Sequence, residues 1–470
     1  MAKSSSAIVD QARAYLAAST DEERARLRTD LDRYEGDFDN VVQALRPDPP
    51  KGPPTGLQKG RAWQSPRFAD KYAGRPFTLY VPEDYDAQTA RGLIIFLHGG
   101  GRGGGMDLGA KVWADYGAED LFRDSGRIVA LPTAPPNEKS FARWNLPEVD
   151  EYIADLIEEL EHHYRIDPHN VILAGSSMGG IGAIHLAHRM ADRFASVLAS
   201  SSAWDFAFWP CLQGLPFWTL QGVNDANLFR RRHGTDIEFT RLAQMRLAQA
   251  GVEHYCREHC GSHHMADGQY IFREWLAWCA DRRRDPFYPH VVAATPRGQT
   301  PWMDFHRHKR PLAAAQNRID FHEIPPAPHA RWVTIDGVGE ETILMDMVHM
   351  ADCRDEVEED WNEFHIDLKR KHVHGAVVEV VRVDEHTIEA SPRNATGFTL
   401  WLHPRMVDLE RVRVLFRGQT VFEGSVRPSL ATLLDSYLRR RDWGLLYPAQ
   451  VRIQGDESWA SRDQLQLARV

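Results

Sequence analysis

The stretch that most constrains this chain is Val171–Ile172–Leu173–Ala174–Gly175–Ser176–Ser177–Met178–Gly179–Gly180, an apolar strand that runs into Gly-x-Ser-x-Gly and continues as a helix. A serine at the tip of such a turn requires the backbone to reverse within a few residues. Small residues at Gly175 and Gly179 permit that bend, and the helix N-terminus that follows stabilises negative charge developing beside it. The spacing makes Ser177 the nucleophile and Ser176 the variable position. A glycine-rich turn without chemistry is the plain alternative, so the surrounding sequence has to decide.

That surrounding sequence alternates. Strand-like runs at Phe77–Val81, Leu93–Leu97, Ile128–Leu131, Val171–Leu173, Ser196–Ala199 and Trp218–Leu220 are interleaved with helical spacing over Val149–His163, Gly180–Arg193, Phe239–Ala250 and Gln269–Asp281. Alternation of this kind predicts an α/β fold, a mostly parallel central sheet flanked by helices. The strand Leu93–Leu97 ends in His98–Gly99–Gly100–Gly101, a glycine loop of the kind that presents backbone N–H donors to an oxyanion. One donor is assigned to Met178 and the other to Gly100 or Gly101. A phosphate-binding reading is weaker, because no Gly-Lys-Ser/Thr follows and no Gly-x-Gly-x-x-Gly opens a helix here.

A serine needs a histidine base and a carboxylate that orients it, in the chain order Ser, Asp/Glu, His. Trp218–Thr219–Leu220–Gln221–Gly222–Val223–Asn224–Asp225 is a strand followed by a turn with an acid at its tip, which makes Asp225 the candidate acid. Taken alone, an aspartate in a turn is ordinary. Gly261–Ser262–His263–His264–Met265 supplies two competing bases. The flanking Gly261 and Met265 favour His263 over His264, and reach to Ser177 decides between them.

These residues resemble the α/β-hydrolase superfamily, and within it the compact bacterial esterases akin to polyhydroxybutyrate depolymerases, feruloyl esterases and phospholipase/carboxylesterases. The resemblance is carried by Phe77–Thr78–Leu79–Tyr80–Val81–Pro82, His98–Gly99–Gly100–Gly101, Tyr164–Arg165–Ile166–Asp167–Pro168 and Gly175–Ser176–Ser177–Met178–Gly179–Gly180, and covers about Ala73 to Asp281. It implies an eight-stranded type of sheet, a serine nucleophile acting on a small-molecule ester, and no metal or organic cofactor. The doubled His263–His264 departs from the single clear histidine usual in such enzymes. Trp401–Leu402–His403–Pro404, Met406–Val407–Asp408–Leu409 and Val412–Arg413–Val414–Leu415–Phe416–Arg417–Gly418 look, more distantly, like an accessory β-domain attached to some bacterial proteins of this type.

The chain has 470 residues, against a prior of about 100–200 per domain, so more than one unit is expected. Residues 1–56 read as helices followed by a Pro-rich linker, 57–284 as the α/β unit, 285–330 as a Pro- and His-rich linker and 331–470 as a smaller β-rich domain. A net charge of −10 leaves no basic field to gather phosphate backbones, which disfavours nucleic acid as a partner. No apolar run approaches the length of a membrane span. Acidic and basic residues interrupt Met1–Asp30, so no signal peptide is read there, and five cysteines do not make a disulfide framework; a cytoplasmic location is expected. His254, Cys256, His259, Cys260, His263 and His264 raise zinc as an alternative without an obvious second pair of ligands. The aromatic group Trp204, Phe206, Phe208, Trp209, Phe217 and Trp218 reads mainly as core, with a pocket wall as its functional alternative. The expected activity is ester hydrolysis. A serine peptidase of the same fold and a non-catalytic binding protein are the rivals.

Overall fold

The computed structural model describes residues 5–100, 109–110, 113, 118–135, 143–146, 148–204, 206–225, 235, 237–263, 268–296, 299–301, 321–323, 328–352 and 364–455. Strands β1 (Gly56–Arg61), β2 (Phe77–Val81), β3 (Arg91–Leu97), β4 (Ile128–Pro132), β5 (Ile166–Ser176) and β6 (Ser196–Ser200) alternate with helices, as the sequence pattern predicts. The two-residue β7 (Phe206–Ala207) leaves this sheet, and β8 (Phe217–Gly222) and β9 (His254–His259) return to it. The sheet order is β1-β2-β4-β3-β5-β6-β8-β9. Pairing is antiparallel at β1–β2 and β2–β4 and parallel from β4 through β3, β5, β6 and β8 to β9. This is the α/β-hydrolase arrangement expected above.

The central strands are buried over their apolar stretches, because helices cover both faces; that is why they read as continuous apolar runs rather than alternating ones. Helices Val149–His163, Met178–Arg189 and Ile237–Gln249 pack one face through Ile153, Leu156, Ile184 and Leu247. Helices Ala118–Arg123 and Gly268–Trp278 cover the other through Phe122, Phe272 and Trp275. Register places Leu97 beside Gly175 and Ser176 beside Ser200, so the carboxyl ends of β3, β5 and β6 lie together. A crevice outside those ends is where such sheets take ligands.

The second half is a β-sandwich. One sheet runs β20 (Gln419–Gly424), β19 (Val412–Phe416), β17 (Thr387–Arg393), β16 (Phe364–Arg382), β15 (Thr342–Asp352) and β7, with β10 (His290–Pro296) also on β16. The other runs β13 (His329–Ala330), β14 (Val333–Val338), β18 (Ala395–Leu402) and β21 (Ala449–Gln454), while β11 (Gln299–Pro301) and β12 (Phe321–Glu323) form a ladder of their own. Trp332, Val378, Ile388, Phe398 and Leu400 fill the space between the sheets.

Three features depart from the sequence reading. Part of the segment read as a linker over 285–330 is β10, whose Val291 and Ala293 are core residues. Gly56, placed at the end of the N-terminal linker, begins β1. Helix Leu430–Arg440, unforeseen within the β-rich half, carries Leu430, Leu433 and Leu434 against Ile8, Ala12 and Val41 of the N-terminal helices Ser5–Ala17 and Phe38–Leu45. Each has the same cause: the apolar stripe of a short element becomes legible only when its partner elsewhere in the chain is known. Among the described residues no helix is long and apolar enough to cross a membrane.

A buried charge cluster joins the halves. Arg284 makes two 2.6 Å hydrogen bonds to Asp442, which also lies 3.3 Å from Arg193. Arg331 donates to the carbonyls of Gln213 at 2.7 Å and Gly214 at 2.8 Å. Removing one partner from such a pair leaves an uncompensated buried charge, which costs more than replacing both. Arg284→Met should lower unfolding stability by about 3 kcal/mol or more, read as an earlier urea midpoint. Combined with Asp442→Leu it should cost less than alone.

Candidate active site

Strand β5 ends at Ser176, and helix Met178–Arg189 begins one residue after Ser177. Ser177 itself adopts φ 57° and ψ −121°, a conformation L-residues rarely take. Such backbone costs on the order of 1–3 kcal/mol and persists only where surrounding contacts over-determine it. Here the Ser177 N–H donates to the Ser200 carbonyl at 2.9 Å, and the Ser177 carbonyl accepts from Ile181 N–H at 3.0 Å. A Cβ on Gly175 would stand 2.1 Å from the Gly179 carbonyl oxygen, and one on Gly179 would stand 2.0 Å from that of Leu97. Glycine at these two positions is a condition of the turn.

Beside the elbow runs the loop after β3. His98 is buried, and its Nε2 accepts from the Ala134 N–H at 3.0 Å. Its proton therefore sits on Nδ1 and is donated to the Gly99 carbonyl at 2.6 Å. The Trp144 indole N–H donates to the His98 carbonyl at 2.9 Å. These contacts hold Gly99 against Ser177, where an added Cβ would lie 3.4 Å from the serine's own Cβ. Gly100 is described and solvent-exposed, whereas Gly101 lies outside the described residues.

Strand β8 leads into the turn that carries Asp225, the candidate acid. Asp225 is buried at the tip of the turn closed by its N–H donating to the Gly222 carbonyl at 3.1 Å. The histidine loop is stitched to the same turn by Asn224, whose N–H donates to the Gly261 carbonyl at 3.1 Å and whose side chain donates to that of Cys260 at 2.8 Å. A Cβ on Gly222 would stand 2.1 Å from the Ser262 carbonyl oxygen, so this glycine too is what allows the loop in. Ser201 Oγ donates to the His263 carbonyl at 3.1 Å.

The structure brings Ser177, His263 and Asp225 together. His263 Nε2 lies 2.9 Å from Ser177 Oγ, and His263 Nδ1 lies 3.0 Å from Asp225 Oδ2. Met178 is the first residue of the helix beyond the elbow and is buried. His264 lies outside the described residues. The arrangement suits a hydroxyl nucleophile whose proton passes to a neutral, oriented imidazole.

Sequence reasoning missed Gln221 and Thr235, which also contact Asp225. A buried glutamine inside the apolar run of β8 was a usable signal; Thr235 offered none. Among the described residues no three His, Cys, Asp or Glu side chains gather to hold a metal. Burial pushes the thiols of Cys211 and Cys279 up to about 12 and about 11, so both are unreactive at neutral pH. The aromatic group is core: Trp204, Phe206, Trp209, Phe217 and Trp218 are buried, with the Trp204 and Trp209 rings 5.0 Å apart and edge-on.

Residues 73–277 match the model of the Esterase family, described as "Putative esterase". The chain is 33% identical over 129 residues to "Probable feruloyl esterase C" of Aspergillus niger, covering 26% of this chain and 45% of that protein. It is 23% identical over 155 residues to the bifunctional acetylxylan esterase/xylanase XynS20E of Neocallimastix patriciarum, covering 33% of this chain and 22% of that one. The chain thus spans less than half the length of either curated relative. Among solved structures it is similar to an S-formylglutathione hydrolase from Agrobacterium tumefaciens, at 18% identity and a TM-score of 0.35, over 44% of this chain and 90% of that chain. The sheet order is the one expected of an α/β hydrolase, and residues 73–277 are the part of the chain that is similar to the Esterase family.

The stitched turns make their own test. Gly222→Ala should push the histidine loop away from Ser177 while sparing the sheet. Misplacement by about 1 Å costs on the order of a hundredfold in rate, and that loss should appear in labelling of Ser177 by a fluorophosphonate probe, with an unchanged far-UV circular dichroism spectrum.

Proposed function

We propose that the protein is a serine carboxylic ester hydrolase that works through an acyl-enzyme. The observation that carries this reading is the single imidazole of His263, 2.9 Å from Ser177 Oγ on one side and 3.0 Å from Asp225 Oδ2 on the other. With Nδ1–H given to Asp225, the Nε2 lone pair faces the serine, which is the tautomer a general base needs.

Ser177 Oγ attacks the ester carbonyl carbon and its proton moves to His263 Nε2. The carbonyl oxygen becomes an oxyanion, held by the backbone N–H of Met178 and that of Gly100 or Gly101. Collapse of this intermediate breaks the bond to the alcohol oxygen, which takes the proton from His263 and leaves. Water then gives its proton to His263 and attacks the acyl-serine; the second collapse frees the acid and returns the proton to Ser177. The buried Asp225 carboxylate orients and stabilises the imidazolium formed in each half without taking the proton itself. The names of the curated relatives suggest the substrate class, small acetyl or hydroxycinnamoyl esters.

Hydrolysis of p-nitrophenyl acetate and methyl ferulate by the full chain tests this. Ser177→Ala and His263→Ala should each lower kcat/KM by at least about a thousandfold at unchanged stability. Equal rates in wild type and Ser177→Ala would reject the assignment.

A further inference from the structure

The acid of the candidate site is held from a second side. Gln221 is fully buried near the end of β8, and every hydrogen-bonding position of its amide is used. Its Oε1 accepts from Ser202 N–H at 3.1 Å and from the Thr240 hydroxyl at 3.0 Å. Because a backbone N–H can only donate, the atom facing Ser202 must be the oxygen, which fixes the amide's orientation. Nε2 therefore faces the other way, and its two protons go to Asp225 Oδ2 at 2.6 Å and to the Thr235 carbonyl at 2.7 Å. Thr235, pinned by that second bond, brings its hydroxyl 3.3 Å from Asp225 Oδ2 and 3.0 Å from His263 Nδ1.

The protons can be counted. His263 Nε2 must accept from Ser177, so Nδ1 carries the hydrogen, and it points between Asp225 Oδ2 and Thr235 Oγ1. The Thr235 hydroxyl then accepts from the imidazole and gives its own proton to Asp225. One carboxylate oxygen thus receives three donors: Gln221, Thr235 and His263. Two of them, the Gln221 amide and the Thr235 hydroxyl, stay neutral when the imidazole takes up its second proton, and they withdraw charge from the oxygen that faces it.

We infer that Gln221 and Thr235 are positioning residues that set both the orientation of Asp225 and the basicity it confers on His263. The inference rests on the ester-hydrolase reading for its catalytic meaning, but not for its geometry. Without the two donors the carboxylate would turn more freely and present more negative charge, favouring imidazolium and raising the pKa of the base. Among the described residues, His259 at the end of β9 interacts electrostatically with Asp225. Burial pushes the His259 imidazole down from its ordinary value, toward the neutral form. The plainer role for Gln221 is to tie the loop after β6 to helix Ile237–Gln249, and that role would affect stability alone.

Two readouts separate these roles in the full chain. The Nδ1 proton of His263, followed by NMR with 15N-labelled histidine, reports its pKa without any substrate; kcat and KM for p-nitrophenyl acetate, measured across pH, report the same group in turnover. Thr235→Val, which keeps the shape and removes the hydroxyl, should raise the His263 pKa by about half a unit, move the acid limb of kcat/KM to higher pH and lower kcat about tenfold with KM unchanged. Thr235→Ser should restore all three. Gln221→Met should shift both readouts in the same direction and further. A His263 titration in Thr235→Val superimposable on wild type overturns the inference, even if melting temperature falls and whether or not Gln221→Met folds. Absence of Ser177-dependent hydrolysis in wild type would instead remove the ester reading and leave the NMR comparison standing.

Discussion

The structure depends on backbone lying directly on backbone at the carboxyl ends of three parallel strands. Gly179 meets the Leu97 carbonyl, Gly175 meets the Gly179 carbonyl, and between them Ser177 is forced to positive φ. No side chain fits in these contacts, so the distance from the elbow to the loop after β3 is set by peptide dimensions rather than by packing that could relax. The same device recurs at Gly222 against Ser262, where it sets the distance from the acid turn to the histidine loop. Ser177, His263 and Asp225 come from three separate segments, yet their relative placement is governed by a few contacts that tolerate no added atom.

Around these contacts polar groups are paired in ways that determine protonation. His98 is made a fixed tautomer by one backbone donor and one backbone acceptor, and so holds the Gly99 carbonyl to one side. Gln221 is made unambiguous by Ser202 N–H. In a buried site each such group must be satisfied or it destabilises the fold, so the networks that orient Asp225 and the Gly99 carbonyl are the same ones that keep their surroundings folded.

The β-rich half is more than an appended unit. Strand β15 pairs with β7, Asp346 opposite Ala207 and Met347 opposite Phe206, and β7 lies on the segment between Ser177 and Asp225. Arg246 on helix Ile237–Gln249 forms a 3.0 Å ion pair with Asp346. These contacts tie the segment that follows the Ser200–Ser202 turn to a sheet formed much later in the chain, and the buried Arg284–Asp442 pair joins the end of the α/β unit to the turn after helix Leu430–Arg440. The N-terminal helices close onto helix Leu430–Arg440, where Tyr15 donates to Asp435 at 2.6 Å.

What the sequence determined by itself was whatever depends on near neighbours in the chain. The elbow around Ser177, the glycine loop after Leu97, the acid turn at Asp225 and the alternation that specifies a parallel sheet are all local, because turn sterics and strand burial act over a few residues. The tertiary structure decided the rest. His263 reaches Ser177 only because Gly222 admits its loop, and Gln221 and Thr235 meet Asp225 only because β8 and the start of helix Ile237–Gln249 are brought side by side. β10 and helix Leu430–Arg440 likewise depend on distant partners. A hydrogen bond between residues distant in sequence leaves no periodicity behind it; it exists as distance and angle, and those are properties of the folded chain.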